Sequence, residues 1–218
     1  MRKNEIIPAI LEENIEEVKR KFKLVKPYVE IVQVDILDGV YAQGKTIEIG
    51  ELKGLEEIKG LKIDFHLMVS EPALLVDDCR EARGYRVIGQ IEMMSDQEEF
   101  VRIVKNVGML AGLAIDLKTP VEAIEERFLE EIDCVLVMSV KAGESGQAFQ
   151  KEALEKIKRL RGLSEKHGNF NIAVDGGLNK ETVMDCLGAG ANQLGVTSAI
   201  FGAEDVGKAI KELRERVT

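Results

Sequence analysis

Apolar and polar positions alternate along the chain with two different periods. Eight short stretches rich in Val, Ile and Leu read as strands: 5–11, 29–37, 61–69, 85–93, 109–116, 133–140, 169–177 and 191–198. Between them, 13–25, 97–107, 121–132, 151–163 and 206–217 place apolar residues at three- and four-residue spacing, the pattern of helices with one buried face. Gly84, Gly108, Gly168 and Gly190 stand where helices should stop, and Pro72 and Pro120 where they should start. The pattern counts out to eight strand–helix units with no linker or second composition, which predicts an α/β chain forming one (β/α)8 TIM barrel domain over residues 1–218. A doubly wound open sheet is the runner-up, weakened because no G-x-G-x-x-G turn joins a first strand to a helix.

The stretch VQVDILDG, residues 32–39, shows what such a strand offers. Side chains on a strand point to opposite faces in turn, so Val32, Val34 and Ile36 share one face while Gln33 and Asp35 share the other. The third strand repeats the arrangement, with Ile63, Phe65 and Leu67 on one side and Asp64, His66 and Met68 on the other. Asp175 ends the seventh strand with parity opposite to Ile172 and Val174. Active sites of these barrels form at the C-terminal strand ends, on the inward face. Three strands therefore deliver Asp35, His66 and Asp175 to one end of one barrel. A His with two carboxylates suits a divalent cation, and two carboxylates suit paired acid and base work. Each residue alone has a blander reading, since barrel interiors hold polar layers and a strand-end Asp can cap a turn; the three together favour a site. His167 precedes Gly168 at a helix end, where it complements the helix dipole.

Glycine-rich stretches follow the last three strands: KAGESGQAF (141–149), DGGLN (175–179) and VTSAIFG (196–202). Loops after the seventh and eighth strands, with a short helix N-terminus, are the usual phosphate cradle of this fold. Gly176, Gly177 and Ser198 are the natural donors, although any one glycine by itself serves a tight turn equally well.

Composition narrows the partners. The chain has 218 residues and a net charge of -9, so a nucleic-acid backbone is excluded as a favoured partner, while a small anion remains open because local groups decide that. No apolar run is long enough to span a bilayer, and the opening MRKNEIIPAILEEN is not a secretory signal. Three isolated cysteines, Cys79, Cys134 and Cys186, read as packing residues and fit a reducing cytoplasm.

With these motifs in view, the chain resembles the ribulose-phosphate 3-epimerase family from end to end. IIPAIL resembles that family's opening P-S-I-L strand, VQVDILDG its H-x-D-x-M-D-G, and DFHLMVSEP its D-x-H-L-M-V-x-x-P. AGLAIDLKTPVE, VLVMSVKAGESGQAF, VDGGLNKET and GANQLGVTSAIF resemble the later family motifs in order. The resemblance implies a metal-dependent 3-epimerisation of D-ribulose 5-phosphate to D-xylulose 5-phosphate, passing a proton between two carboxylates through an ene-diolate. It assigns Asp35 and Asp175 as the proton carriers, and Asp35, His66 and Asp175 as ligands of a divalent zinc, iron or manganese ion. It assigns Gly143, Gly146, Gly176, Gly177 and Ser198 to the phosphate, and Met68 and Met138 to the neighbourhood of metal and substrate. A sugar phosphate as partner and a homo-oligomer follow from the same resemblance.

The departures gather in the site. Gln33 stands where the family has a second metal-binding His, and an amide oxygen is a weaker ligand than imidazole for zinc or iron. Ala9 replaces a substrate-contacting serine, and Gln90 a common His after the fourth strand. Glu144 adds negative charge near the expected phosphate, with Lys141 close enough to offset it. Thr197 replaces a glycine beside Ser198, and Asn192 and Gly195 replace the usual Asp and Val. These changes raise an alternative: an epimerase-like barrel that binds without turnover or acts on a different sugar phosphate. An aldolase or decarboxylase activity ranks third, because Asp64-Phe65-His66 lacks the central lysine of the D-x-K-x-x-D pattern.

Overall fold

The computed structural model describes residues 3–143 and 146–217. Eight strands form, at the expected places and trimmed by one to four residues at their ends. They are β1 (Glu5–Ile10), β2 (Ile31–Leu37), β3 (Lys62–Met68), β4 (Arg86–Gln90), β5 (Leu110–Ile115), β6 (Cys134–Met138), β7 (Asn171–Asp175) and β8 (Gln193–Val196). Each pairs in parallel with the next, and β8 closes onto β1, so the sheet is a closed barrel and the open-sheet alternative is excluded.

The period-two pattern sorts side chains as the parity argument requires. Val32, Val34, Ile36, Ile63, Phe65 and Leu67 join one large cluster between barrel and helices, whereas Leu37, Met68, Ile88, Leu136, Met138 and Ala173 form a second cluster inside the barrel. The helices are α1 (Ile15–Val25), α2 (Val76–Glu81), α3 (Gln97–Asn106), α4 (Ala153–Lys166), α5 (Thr182–Ala189), α6 (Ser198–Phe201) and α7 (Val206–Val217). α1 shows why they form. Asn14 caps it by accepting from the Glu16 amide at 2.8 Å, Glu16 and Glu17 complement its positive end, and Val18, Phe22 and Val25 make its buried face. Phe22 is fully buried, and truncation to Ala would destabilise by about 3–5 kcal/mol.

Two of the eight expected helices are absent. β2 is followed by a single 3-10 turn (Ile49–Leu52), and the helix expected over 121–132 is two short 3-10 turns (Val121–Ala123 and Glu126–Phe128). The apolar spacing there is honoured, since Val121, Ile124, Phe128, Leu129 and Ile132 are all buried. A helix would stack Glu122 on Glu126 and Glu126 on Glu130, like charges four residues apart. Gln97 offers the backbone other partners, donating to the Ala123 carbonyl at 2.8 Å and accepting from the Glu125 amide at 3.3 Å. After α2, the left-handed residue is Arg83 (φ 59°) rather than Gly84. Gly84 is needed for space: a Cβ there would lie 3.0 Å from the Cys79 carbonyl oxygen and from the Phe65 ring.

The N-terminal end of the barrel is plugged by polar residues. Arg86 and Asp64 form an ion pair, both buried, and Arg86 Nη1 donates to Gln193 Oε1 at 2.9 Å. Gln193 Nε2 in turn donates to Glu5 Oε2 at 3.0 Å. Burial works against charge on Arg86, but the Asp64 carboxylate outweighs it and holds the guanidinium above its ordinary range. The plug leaves the opposite end of the barrel as the open one.

Candidate active site

At the C-terminal end, β2, β3 and β7 bring four polar side chains together. Asp35 and His66 are register partners on neighbouring strands, and Asp175 is held by β7 beside Gly195 of β8. His66 Nδ1 lies 3.2 Å from Asp35 Oδ1 and 3.8 Å from Asp175 Oδ2. Gln33 joins the two carboxylates: its Nε2 donates to Asp35 Oδ1 at 2.7 Å and to Asp175 Oδ2 at 2.5 Å. All four residues are buried. Burial, and then the neighbouring Asp35 charge, push the Asp175 carboxyl up to about 7, against the opposing pull of His66, Gln33 and the Gly176 amide.

The donor atoms of Asp35, His66 and Asp175 all lie within 4.8 Å of one another. One imidazole and two carboxylates is a donor set that zinc, iron or manganese accepts. With Nδ1 as the ligating atom, the ring proton must sit on Nε2, which is buried without a partner. The three side chains thus fit a divalent cation, and the Gln33 nitrogen is the group that now sits between the carboxylates.

A cavity opens above this cluster. Asp35, Asp175, Met68, Met138, Gly143, Gly146, Gly176, Gly177, Ser198 and Thr197 all line it, with Lys141 its one cationic residue among the described residues. Gln33, His66 and Ala9 are buried and do not line it. The glycines of the β7 turn are required by geometry. Gly176 and Gly177 have φ of 108° and 62°, and a Cβ would lie 2.4 Å from Val140 Cγ2 at the first and 2.5 Å from the Phe149 nitrogen at the second. Thr197 and the exposed Ser198 stand at the start of the four-residue α6. Gly195 leaves room for the acid, since a Cβ there would lie 3.3 Å from Asp175 Cγ. Glu144 lies outside the described residues.

Several supporting residues went unread in the sequence. Ser139, directly after β6, donates from its backbone nitrogen to the Asp175 carbonyl at 2.8 Å, and its hydroxyl reaches the Asp175 and Gly176 carbonyls at 2.8 and 2.6 Å. It pins the backbone that carries Asp175. Asp38 ties two loops together, accepting from the Val40 amide at 2.8 Å and from the Ser70 amide at 2.7 Å. Tyr41 reaches from the β2 loop to Asp116 at the end of β5, at 3.1 Å, and Gln90 Oε1 lies 3.2 Å from the same hydroxyl in the orientation that satisfies its amide. Asn192 is buried, accepting from the Ile172 amide at 2.9 Å and donating to Asn171 Oδ1 at 2.8 Å, so it serves packing. His167 is the C-cap of α4 and lies 3.8 Å from Glu126.

The closed parallel barrel and the acid-lined cavity at the C-terminal ends of its strands define the class: a (β/α)8 barrel enzyme. Solved barrels agree on the fold. A KGPDC from Streptococcus mutans superposes with a TM-score of 0.76 at 12% identity, covering 99% of this chain and 97% of that one. An orotidine 5'-phosphate decarboxylase from Pyrococcus horikoshii OT3 gives 0.69 at 19% identity, covering 98% and 99%. The model of the Ribulose-phosphate 3 epimerase family matches residues 5–201, and the chain belongs to that family. It is 32% identical to the ribulose-phosphate 3-epimerase of Bacillus subtilis (strain 168) over 96% of this chain and 97% of the relative. It is 35% identical to that of Methanocaldococcus jannaschii over 92% and 83%. No helix among the described residues is long and apolar enough to cross a membrane.

Proposed function

We propose that this chain interconverts D-ribulose 5-phosphate and D-xylulose 5-phosphate by inverting C3. The observation that carries the reading is the buried pair Asp35 and Asp175, delivered by β2 and β7 to the floor of one glycine-walled cavity. An inversion by proton transfer needs two groups on opposite faces of one carbon, one ionised and one protonated at the same moment. Burial and the neighbouring Asp35 charge raise the Asp175 carboxyl, so two adjacent carboxyls of different proton affinity stand in one site. One carboxylate takes the C3 proton, and the C–H electrons become the C2–C3 double bond of an ene-diolate, with negative charge on the C2 oxygen. The other carboxylic acid then returns a proton to the opposite face of C3. A divalent cation held by Asp35, His66 and Asp175 supplies, when bound, stabilisation of the charge on the ene-diolate oxygens.

The remaining lining residues suit the rest of the substrate. Gly176, Gly177 and the start of α6 at Ser198 present backbone amides to a phosphate, with Gly143 and Gly146 on the facing loop. Lys141 adds the one positive side chain, and Met68 and Met138 make an apolar wall that keeps water from the reacting carbon.

Isotope exchange tests the reading directly. The protein, supplied with Zn2+, Fe2+ or Mn2+, is incubated with D-ribulose 5-phosphate in D2O, and the C3 proton is followed by NMR. Loss of the proton signal with appearance of xylulose 5-phosphate is expected; exchange no faster than the protein-free control with every metal overturns it. The Gln33 bridge favours a second reading, binding without turnover, which predicts saturable sugar-phosphate binding in the same samples with no exchange.

A further inference from the structure

Gln33 is buried, and both hydrogens of its amide nitrogen are committed, one to each carboxylate. That nitrogen stands between the acids that would hold a cation, and it presents hydrogens rather than a lone pair. A cation entering there meets two N–H groups pointing at it and must break two charge-assisted bonds. Turning the amide about its last bond exchanges the atoms, placing Oε1 toward the carboxylates and Nε2 away from them. An acceptor for the displaced nitrogen stands on the same inward face. Asp64 is the register partner of Gln33, and its Oδ1 is buried without a partner.

We propose that Gln33 is the specificity-determining residue of the cation site: its nitrogen holds the two carboxylates in the metal-free chain, and its amide turns to give its oxygen as a fourth ligand. The ligand set is then one imidazole and three oxygens. Exchanging a nitrogen donor for a hard, neutral oxygen weakens zinc more than manganese, because carboxylate and carbonyl donors suit manganese while imidazole suits zinc. This chain therefore discriminates less in favour of Zn2+ over Mn2+ than the same barrel with a histidine at position 33. The inference deepens the epimerase reading and rests on it only for the site taking a divalent cation.

The test titrates metal-stripped full-length protein with Zn2+ and separately with Mn2+ by calorimetry, in the wild type, Gln33→His and Gln33→Leu. Gln33→His is expected to tighten Zn2+ by roughly tenfold or more, the scale of effects seen when residues supporting a ligand shell change, and Mn2+ by less. Gln33→Leu is expected to weaken both ions, because it removes a ligand. If Gln33→Leu binds either ion as tightly as the wild type or tighter, Gln33 only competes with the cation and the proposal falls. An equal gain for both ions in Gln33→His also overturns it, as does failure of the wild type to bind either ion.

A measurement on the wild type alone covers the case in which a variant does not fold. The Gln33 side-chain amide protons, assigned by 15N–1H NMR, should lie downfield of ordinary glutamine amides in the metal-free protein. One equivalent of diamagnetic Zn2+ should move both; protons that stay in place show an amide that does not turn. None of these readouts involves turnover. Metal behaviour as described with no C3 exchange would sink the epimerase reading and leave this one standing, and the reverse pattern would do the opposite.

Discussion

The two ends of the barrel interior hold nearly the same kinds of residue and do opposite things with them. At the N-terminal end, Asp64 and Glu5 meet Arg86 and Gln193; at the C-terminal end, Asp35 and Asp175 meet His66 and Gln33. Both ends pair carboxylates with an amide, in a buried setting except for the half-buried Glu5. The difference is the guanidinium. Arg86 is a permanent cation that pairs with one oxygen of Asp64 from within the protein. The other end has only an imidazole and an amide, so its two carboxylates are short of positive charge. A buried carboxylate paired with a resident cation serves as a structural plug, whereas two buried carboxylates without one must take up a proton or a cation.

The largest effect expected from this contrast is on catalysis. Asp35→Asn or Asp175→Asn should each lower C3 exchange by about 10^3-fold, near the middle of the range for losing a positioned acid or base, while leaving the chain folded by circular dichroism. Activity within tenfold of wild type in either variant would remove that residue from proton transfer. At the plug the loss should fall on stability instead. Arg86→Met strands Asp64 as an unpaired buried charge and should cost about 3–5 kcal/mol in urea unfolding. The double change Asp64→Leu with Arg86→Met should recover most of that loss. An Arg86→Met protein as stable as wild type would show that the plug is not an ion pair in solution.

The strand parity that separates these ends was legible in the chain, because alternation along VQVDIL and KIDFHLM depends only on the strand period. The gathering of Asp35, His66 and Asp175 followed from parity together with the barrel rule. The roles of Gln33 and Arg86 were not legible in the same way. Sequence shows an amide at position 33 but not which of its two atoms faces the acids, a matter set by whatever charge lies opposite. Arg86 opens β4 directly before the apolar Val87 and Ile88, and its partners come from β3 and β8, 22 and 107 residues away. Ser139 was hidden for a different reason: a serine after an apolar strand is common, and it is the register of β6 against β7 that brings it to the Asp175 carbonyl. The missing helix over 121–132 had the right apolar spacing, a signal that takes no account of the glutamates a helix would stack four residues apart.

The next effect in size is a pH dependence confined to the open end. With Asp175 raised from an ordinary 3.8 to about 7, the folded metal-free chain holds a proton that the unfolded chain releases. Its contribution to stability is complete below about pH 4 and is lost progressively as pH rises to about 7. Urea midpoints of metal-stripped protein should therefore fall from pH 5 to pH 7.5, and Asp175→Asn should flatten the slope. A saturating divalent cation should reverse it, because the cation favours the ionised pair. A slope unchanged by Asp175→Asn would place the titrating group elsewhere.

The smallest effect tests how firmly the open end is held. Ser139→Ala removes a hydroxyl shared between the Asp175 and Gly176 carbonyls, but the Ser139 backbone amide still donates to the first of them. The loss should be about 1 kcal/mol in unfolding free energy. A shift of Asp175 away from Asp35 by a fraction of an ångström also degrades proton transfer more than it degrades binding. Ser139→Ala should accordingly lower kcat for C3 exchange while leaving KM for the sugar phosphate near its wild-type value. Ser139→Thr, which keeps the hydroxyl, should restore part of kcat. If Ser139→Ala raises KM and leaves kcat alone, Ser139 acts on the substrate side of the cavity, and the placement of Asp175 depends on the barrel strands without it.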